Sequence, residues 1–186
     1  AIRRQRQMCI RDRVLGRART LKIRKLEKGE DFHGIYDALK SYAEISDNDI
    51  IVVENECPDY AYFGELNTML SIRSGASATI VGGVTRDRDN VMKMNYPVFS
   101  KGYNCKDVRK RATLANFNRT INVLGVTISP SDLIFADNDG VVVIPVAYEN
   151  KIMKAIIEKI GMENNVASEI ARYSNPLDIV EKIGEF

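Results

Sequence analysis

Glu65 in "GELNTML" (64–70) is followed, after 20 intervening positions, by the adjacent pair Arg86 and Asp87 in "GGVTRDRDNV" (82–91). An arginine offers a planar, permanently charged fork that holds a carboxylate in bidentate fashion. A lone aspartate is an oxygen ligand suited to Mg²⁺ or Mn²⁺, because magnesium commonly takes one or two protein carboxylates and keeps several waters. Charged residues after a glycine pair are also ordinary turn chemistry, so a solvated loop accounts for Arg86 and Asp87 taken alone. The elements that position them decide between the two readings.

The segment "ASATIV" (76–81) before that turn reads as a buried strand, and "DIIVVE" (49–54) as a central parallel strand, both being short continuous apolar runs. "GELNTMLSIRSG" reads as a helix from Glu65 that stops at Gly75. In an open parallel sheet ligands bind beyond the carboxyl ends of the strands, so the loop before "GELNT" and the turn at "GGVTRD" fall on one edge. The helix starting at Glu65 then points unpaired amides, those of Leu66 and Asn67 among them, toward that edge, and such an end favours a carboxylate. An arginine, a lone carboxylate and a helix N-terminus together form a plausible site for a metal-bound 2-oxo acid.

The rest of the chain supplies the layers. "RTLKIRKL" (19–26) alternates like a half-buried strand, and "FHGIYDALKSYAEI" (32–45) places Ile35, Leu39 and Tyr42 at helical spacing, with His33 as a surface or capping residue near the start. "DNVMKM" (89–94) predicts a brief helix and "YPVFSKG" (96–102) a strand. Strands around "LIFA" and "VVVIP" flank the turn Asp137-Asn138-Asp139-Gly140. Asp137 and Asp139 resemble metal ligands, but the tight turn explains them without a metal. From Val146 the chain reads as helical, with an apolar stripe at Ile152, Ala155, Ile156 and Ile160, and a last helix runs through "PLDIVEKIG" (176–184). Alternating β and α elements followed by a β-rich segment imply an α/β layered domain with a mainly parallel sheet.

Composition narrows the function classes. The chain has 186 residues, 45% hydrophobic and 28% charged, enough for a core without metal or disulfide staples. No apolar run reaches the roughly 20 residues of a membrane-spanning helix. Cys9, Cys57 and Cys105 show no paired metal spacing, and their odd number suggests the reducing cytoplasm. The net charge of +2 comes from residues 1–13, which carry five arginines against one aspartate; the remainder is slightly acidic, which argues against nucleic-acid binding. "RQMCIRDR" (6–13) looks like a translated sequencing-adapter tail, so residues 1–13 are expected to be non-native and the domain to span 14–186.

The spacing of Glu65 from Arg86-Asp87 is similar to the acidic–X20–Arg-Asp signature of the 4-hydroxy-4-methyl-2-oxoglutarate aldolases, members of the RraA-like superfamily. "GRART" (16–20), "GELNTML", "YPVFSKG" and "GVTISPSDLIFADNDGVVVIP" (125–145) match in the right order, so the likeness covers nearly everything from Val14 onward. The resemblance implies a swivelling β/β/α domain assembled as a homotrimer or hexamer, and a family member's additional N-terminal helices are expected to be missing here. It implies that Asp87 ligates a divalent metal (Mg²⁺ or Mn²⁺) directly and that Glu65 acts through metal-bound water. Arg86 is then expected at the 2-oxo acid end of the substrate, with the amides of Leu66 and Asn67 on its carboxylate. The implied reaction is retro-aldol cleavage or oxaloacetate decarboxylation through a metal-stabilised pyruvate enolate.

The aldolases also draw an acid from the C-terminal helix of a neighbouring subunit, for which Glu163 is the candidate. Asn90 stands where family members often carry an acid. The alternative is a non-catalytic regulator that binds a ribonuclease, as the superfamily's namesake does. The resemblance has the regulators lacking the full acid–X20–Arg-Asp combination, which this chain retains.

Overall fold

The computed structural model describes residues 3–4, 13–172, 177–178 and 181. Two units separate, Ala1–Val146 and Ala147–Phe186. In chain order the first contains strands β1 (Arg3–Arg4), β2 (Val14–Lys25) and β3 (Ile50–Asn55), helix α1 (Glu65–Arg73), strands β4 (Ala78–Val81) and β5 (Val84–Thr85), and helix α2 (Arg88–Lys93). Strands β6 (Val98–Ser100), β7 (Gly102–Tyr103), β8 (Ala112–Phe117), β9 (Ile121–Val123), β10 (Val126–Ile128), β11 (Leu133–Ala136) and β12 (Val141–Ile144) follow. The second unit contains α3 (Glu149–Ile170).

The main sheet has eight strands and is parallel at its centre, where β2, β3, β4 and β6 pair in the same direction. Alternation explains how β3 serves two layers. Ile51 and Val53 point into a core with Val81, Val98 and Phe63, while Ile50 and Val52 point into a second core with Ile80, Phe99 and Ile134. Both faces are covered, which is why this strand reads as an unbroken apolar run. The long β2 divides its other edge. Its first half pairs antiparallel with β11 and its second half with β8, with the register shifting between Lys22 and Ile23. A bulge of this kind bends the strand and sharpens the twist, so one strand turns a corner between two partners.

Several sequence expectations hold. Glu65 begins α1, which ends before Gly75 at φ +88°, and the strand exits after β3 and β4 share one edge because the two strands are parallel neighbours. Asp137 Oδ1 accepts the Asp139 amide at 2.9 Å, closing the β11–β12 turn as an Asx turn.

Others are corrected. Residues Phe32–Glu44 form consecutive 3₁₀ turns rather than an α-helix. The tighter 3.0-residue period rotates the faces, so Ala38 is buried and Leu39, expected inside, is 48% exposed. The stripe on α3 is not a packed face among the described residues either: Ile156 and Ile160 are exposed, and Val166 and Glu169 are the buried positions. The last helix expected at 176–184 lies largely outside the described residues. No described helix is long and apolar enough to cross a membrane.

Candidate active site

The loop ahead of α1 is stitched to two other strand exits. Phe63 bridges Thr85 in parallel, with the Arg86 amide donating to the Phe63 carbonyl at 3.1 Å. Ala61 bridges Asp107, with the Ala61 amide donating to Lys106 at 2.8 Å and the Val108 amide to Ala61 at 3.2 Å. Three segments far apart in sequence thus bring Gly64, Arg86 and Asp107 together.

Asp87 adopts the left-handed conformation, φ 58° and ψ 35°, which aspartate tolerates better than most residues. That turn sends its carboxylate back over α1, where Oδ2 accepts the Glu65 amide at 3.0 Å. Asp87 therefore occupies the capping role that Gly64, the residue before the helix, has no side chain to fill. The glycine matters here through contact rather than through backbone freedom. A Cβ at position 64 would fall on Asp87 Oδ2 and lie 2.9 Å from Arg86 Cγ.

Helix α1 makes its first internal bond from Thr68 to the Gly64 carbonyl at 3.0 Å. The amides of Leu66 and Asn67 precede that bond and have no intrahelical acceptor. The side chain of Asn67 is used elsewhere, donating to the Tyr62 carbonyl at 2.8 Å. Its carbonyl accepts the Tyr42 hydroxyl at 3.4 Å, and burial pushes that phenol up to about 12.

Arg86 is held from two sides. Its Nη1 donates to Asp107 Oδ2, and its Nε lies 3.4 Å from Asp87 Oδ2. Burial opposes its charge, but the neighbouring carboxylates more than offset this and raise its pKa further. Burial likewise works against ionisation of Asp107, yet the Arg86 guanidinium and the Arg109 amide, 2.7 Å from Oδ1, hold its carboxyl below the ordinary range.

Arg86, Gly64, Leu66 and Asn67 stand in the wall of a cavity of about 440 Å³ that opens between α1 and the 32–44 segment. That size suits a small organic ligand. Of the candidates named from the sequence, Leu66, Asn67 and Arg86 line this cavity, while Glu65 and Asp87 stand together beside it at the start of α1 without lining it. Glu163 does not belong to this unit and is an exposed residue of α3.

Asp107 was missed, and Asn90 was named without its contact. Asp107 sits in the charged run "NCKDVRKR", where nothing local distinguishes it from a solvated loop. Asn90, noted as standing in place of an acid, donates from Nδ2 to Glu65 Oε2 at 2.8 Å and so orients that carboxylate.

The oxygen donors of this site fit a hard divalent cation. Asp87 is partly exposed and its carboxylate accepts the Glu65 amide, and among the described residues no group of three or more His, Cys, Asp or Glu, here or elsewhere, is placed to hold a metal ion, so water would have to complete any set. One or two carboxylates completed by water is the usual set for Mg²⁺, whereas a zinc site asks for nitrogen or sulfur ligands.

Fold and site together define a layered α/β domain that turns an Arg-Asp pair and a helix N-terminus on a small cavity. The chain belongs to the RraA-like family: the Aldolase/RraA family model matches residues 1–143. It is 33% identical over 135 residues to protein DlpA of Legionella pneumophila, covering 72% of this chain and 22% of that protein. It is 31% identical over 150 residues to a protein of Halalkalibacterium halodurans named "Putative 4-hydroxy-4-methyl-2-oxoglutarate aldolase", covering 80% of this chain and 67% of that one. The chain thus spans about a fifth of the first relative's length and two thirds of the second's. Among solved structures, Streptomyces coelicolor RraAS2, described as an unusual member of the RNase ES inhibitor RraA protein family, superposes with a TM-score of 0.71 at 24% identity, covering 82% of this chain and 75% of that one.

Proposed function

We propose that this chain is a divalent-metal-dependent lyase that cleaves a small 2-oxo acid, by retro-aldol reaction or by decarboxylation of oxaloacetate. The observation that carries the reading is the seating of the Asp87 carboxylate and Arg86 side chain against Gly64, beside a cavity whose lining includes Arg86, Leu66 and Asn67. The aldolase-named relative supports it. Asp87 would hold Mg²⁺ or Mn²⁺ directly and Glu65 through water, and the ion supplies Lewis-acid polarisation of the 2-oxo group.

The remaining work falls to the chain. The amides of Leu66 and Asn67 receive the substrate carboxylate at the positive end of α1. Arg86 lies beside the 2-oxo oxygen and stabilises the negative charge that develops there as the carbon–carbon bond breaks, worth about 3–4 kcal/mol in comparable sites. The pair from the broken bond passes into the pyruvate fragment as its enolate, whose C3 then takes a proton from water to give pyruvate. In the retro-aldol direction the hydroxyl proton leaves, through a water, toward Glu65 Oε1, which has no hydrogen-bond partner among the described residues. In decarboxylation no proton need be removed, because CO₂ departs instead. A trimer or hexamer in which Glu163 reaches a neighbouring site belongs to the same proposal.

The test is pyruvate release from oxaloacetate and from 4-hydroxy-4-methyl-2-oxoglutarate with Mg²⁺ or Mn²⁺, beside EDTA and Asp87→Ala controls. Metal-dependent turnover that Asp87→Ala lowers by about 100-fold or more supports the proposal. Absence of turnover from a folded oligomer on both substrates refutes it and favours the ribonuclease-binding regulator.

A further inference from the structure

The cavity beside Arg86 carries a second cation. Besides Arg86 and Asp107, the charged residue in its wall is Arg109. Asp107 is engaged by Arg86. The Arg109 guanidinium lies 5.3 Å from the centroid of the Phe32 ring, at the start of the 32–44 segment, and has no ion-pair partner among the described residues. A ring face attracts a cation without neutralising it. One cation is thus tied to the α1 side, against Gly64, and the other to the side of the 32–44 segment.

Tyr62 supplies an independent observation. It lines the same cavity and is only 9% exposed, and its hydroxyl has no hydrogen-bond partner among the described residues. A buried phenol ordinarily finds a partner, because an unpaired one forfeits its hydration. Among the described residues, Asn116 Oδ1 is the side-chain polar atom that is both shut off from solvent and unpartnered. The Tyr62 oxygen is therefore not shut off, and the open space that its residue lines is the cavity. Burial holds the phenol well above its ordinary range, so it keeps its proton and serves as a donor rather than a base.

We infer that Tyr62 and Arg109 form the far-end subsite of this cavity, where phenol and guanidinium together receive a second carboxylate and so select 2-oxo dicarboxylic acids over monocarboxylic ones. The inference rests on the lyase reading above for the placement of the oxo acid head at Arg86 and the α1 amides, and it adds the residues that read the other end. A carboxylate there exchanges its water for two charge-assisted hydrogen bonds, whereas a methyl group leaves the phenol unpaired.

The experiment compares calorimetric binding of 2-oxoglutarate and 2-oxopentanoate, which share a head and a chain length, to the full chain with Mg²⁺ present. The dicarboxylate is expected to bind at least about tenfold more tightly. Tyr62→Phe and Arg109→Gln should each remove most of that preference by weakening 2-oxoglutarate alone, with 2-oxopentanoate held within about twofold. Arg86→Ala should weaken both acids. The Tyr62 hydroxyl bonds nothing in the protein, so a purely structural role leaves the ratio of the two affinities unmoved in Tyr62→Phe, and a misfolded variant weakens both acids together.

Equal binding of the two acids by the unaltered chain, or a ratio that neither Tyr62→Phe nor Arg109→Gln moves, overturns the inference. If pyruvate is still released from oxaloacetate in either case, the lyase reading survives alone. Failure of the folded chain to bind either acid also overturns the inference, and with no pyruvate release it removes both proposals.

Discussion

Replacing Gly64 with alanine isolates the geometry of the site from its charge. The backbone at Gly64 is extended, φ −161° and ψ −156°, so alanine adopts it without strain. The added methyl instead falls on Asp87 Oδ2 and within 2.9 Å of Arg86 Cγ. To regain ordinary van der Waals contact the carboxylate must retreat by about 1 Å, and a displacement of that size at a reacting centre costs about 100-fold in rate. That is about 2.7 kcal/mol of transition-state stabilisation. The retreat also breaks the Glu65 amide bond, a lost cap worth about 1 kcal/mol of folding stability.

The two effects separate in the assay. Steady-state pyruvate release should fall about 100-fold while thermal denaturation shifts down by only about 2–4 °C. Asp87 is partly exposed and can swing outward, which keeps the folding penalty small. A Gly64→Ala protein with turnover within twofold of the unaltered chain would refute the reasoning. So would a loss of activity fully explained by unfolding.

Asp107→Asn should leave Arg86 less firmly placed, raising KM for the oxo acid more than it lowers kcat. Because the Asp107 carboxyl titrates below its unfolded value, its contribution to stability is present above the ordinary aspartate pKa of about 3.9 and is lost as pH falls through the lower folded value. Denaturation melts from pH 3 to 7 should therefore show an acid-side loss in the unaltered chain that Asp107→Asn reduces. Partial exposure of the pair keeps the difference below about 1 kcal/mol. Asn90→Asp exchanges the 2.8 Å bond to Glu65 for two adjoining carboxylates. In EDTA it should lower stability by about 1 kcal/mol, with Mg²⁺ restoring it and binding more tightly than to the unaltered chain, read by denaturation and by metal titration.

Much of the fold was legible in the sequence because its signals are local. The apolar run of β3, the start of α1 at Glu65, the stop at Gly75 and the Asx turn at Asp137 each depend on a few neighbouring residues. That Glu65 and Arg86-Asp87 would be neighbours was legible for a related reason. A parallel βαβ unit places successive strand exits on one edge, so spacing alone predicts that they meet. Where the local period itself changed, as in the 3₁₀ turns at 32–44, the pattern misplaced Leu39, because about 20° more rotation per residue reassigns which side chains face inward.

The sequence by itself determined the chemistry on offer: an arginine fork, an aspartate and a helix N-terminus at one strand edge. Only the tertiary structure decided how they are held. Asp107 reaches Arg86 because residues 61–63 bridge both the 84–86 and the 106–108 segments, a contact between chain positions 21 apart that no local pattern records. The cavity arose in the same way, from packing 3₁₀ turns against α1. Strand pairing and side-chain packing are satisfied globally, so the partners of a charged loop residue follow from where the sheet carries it rather than from its neighbours in sequence.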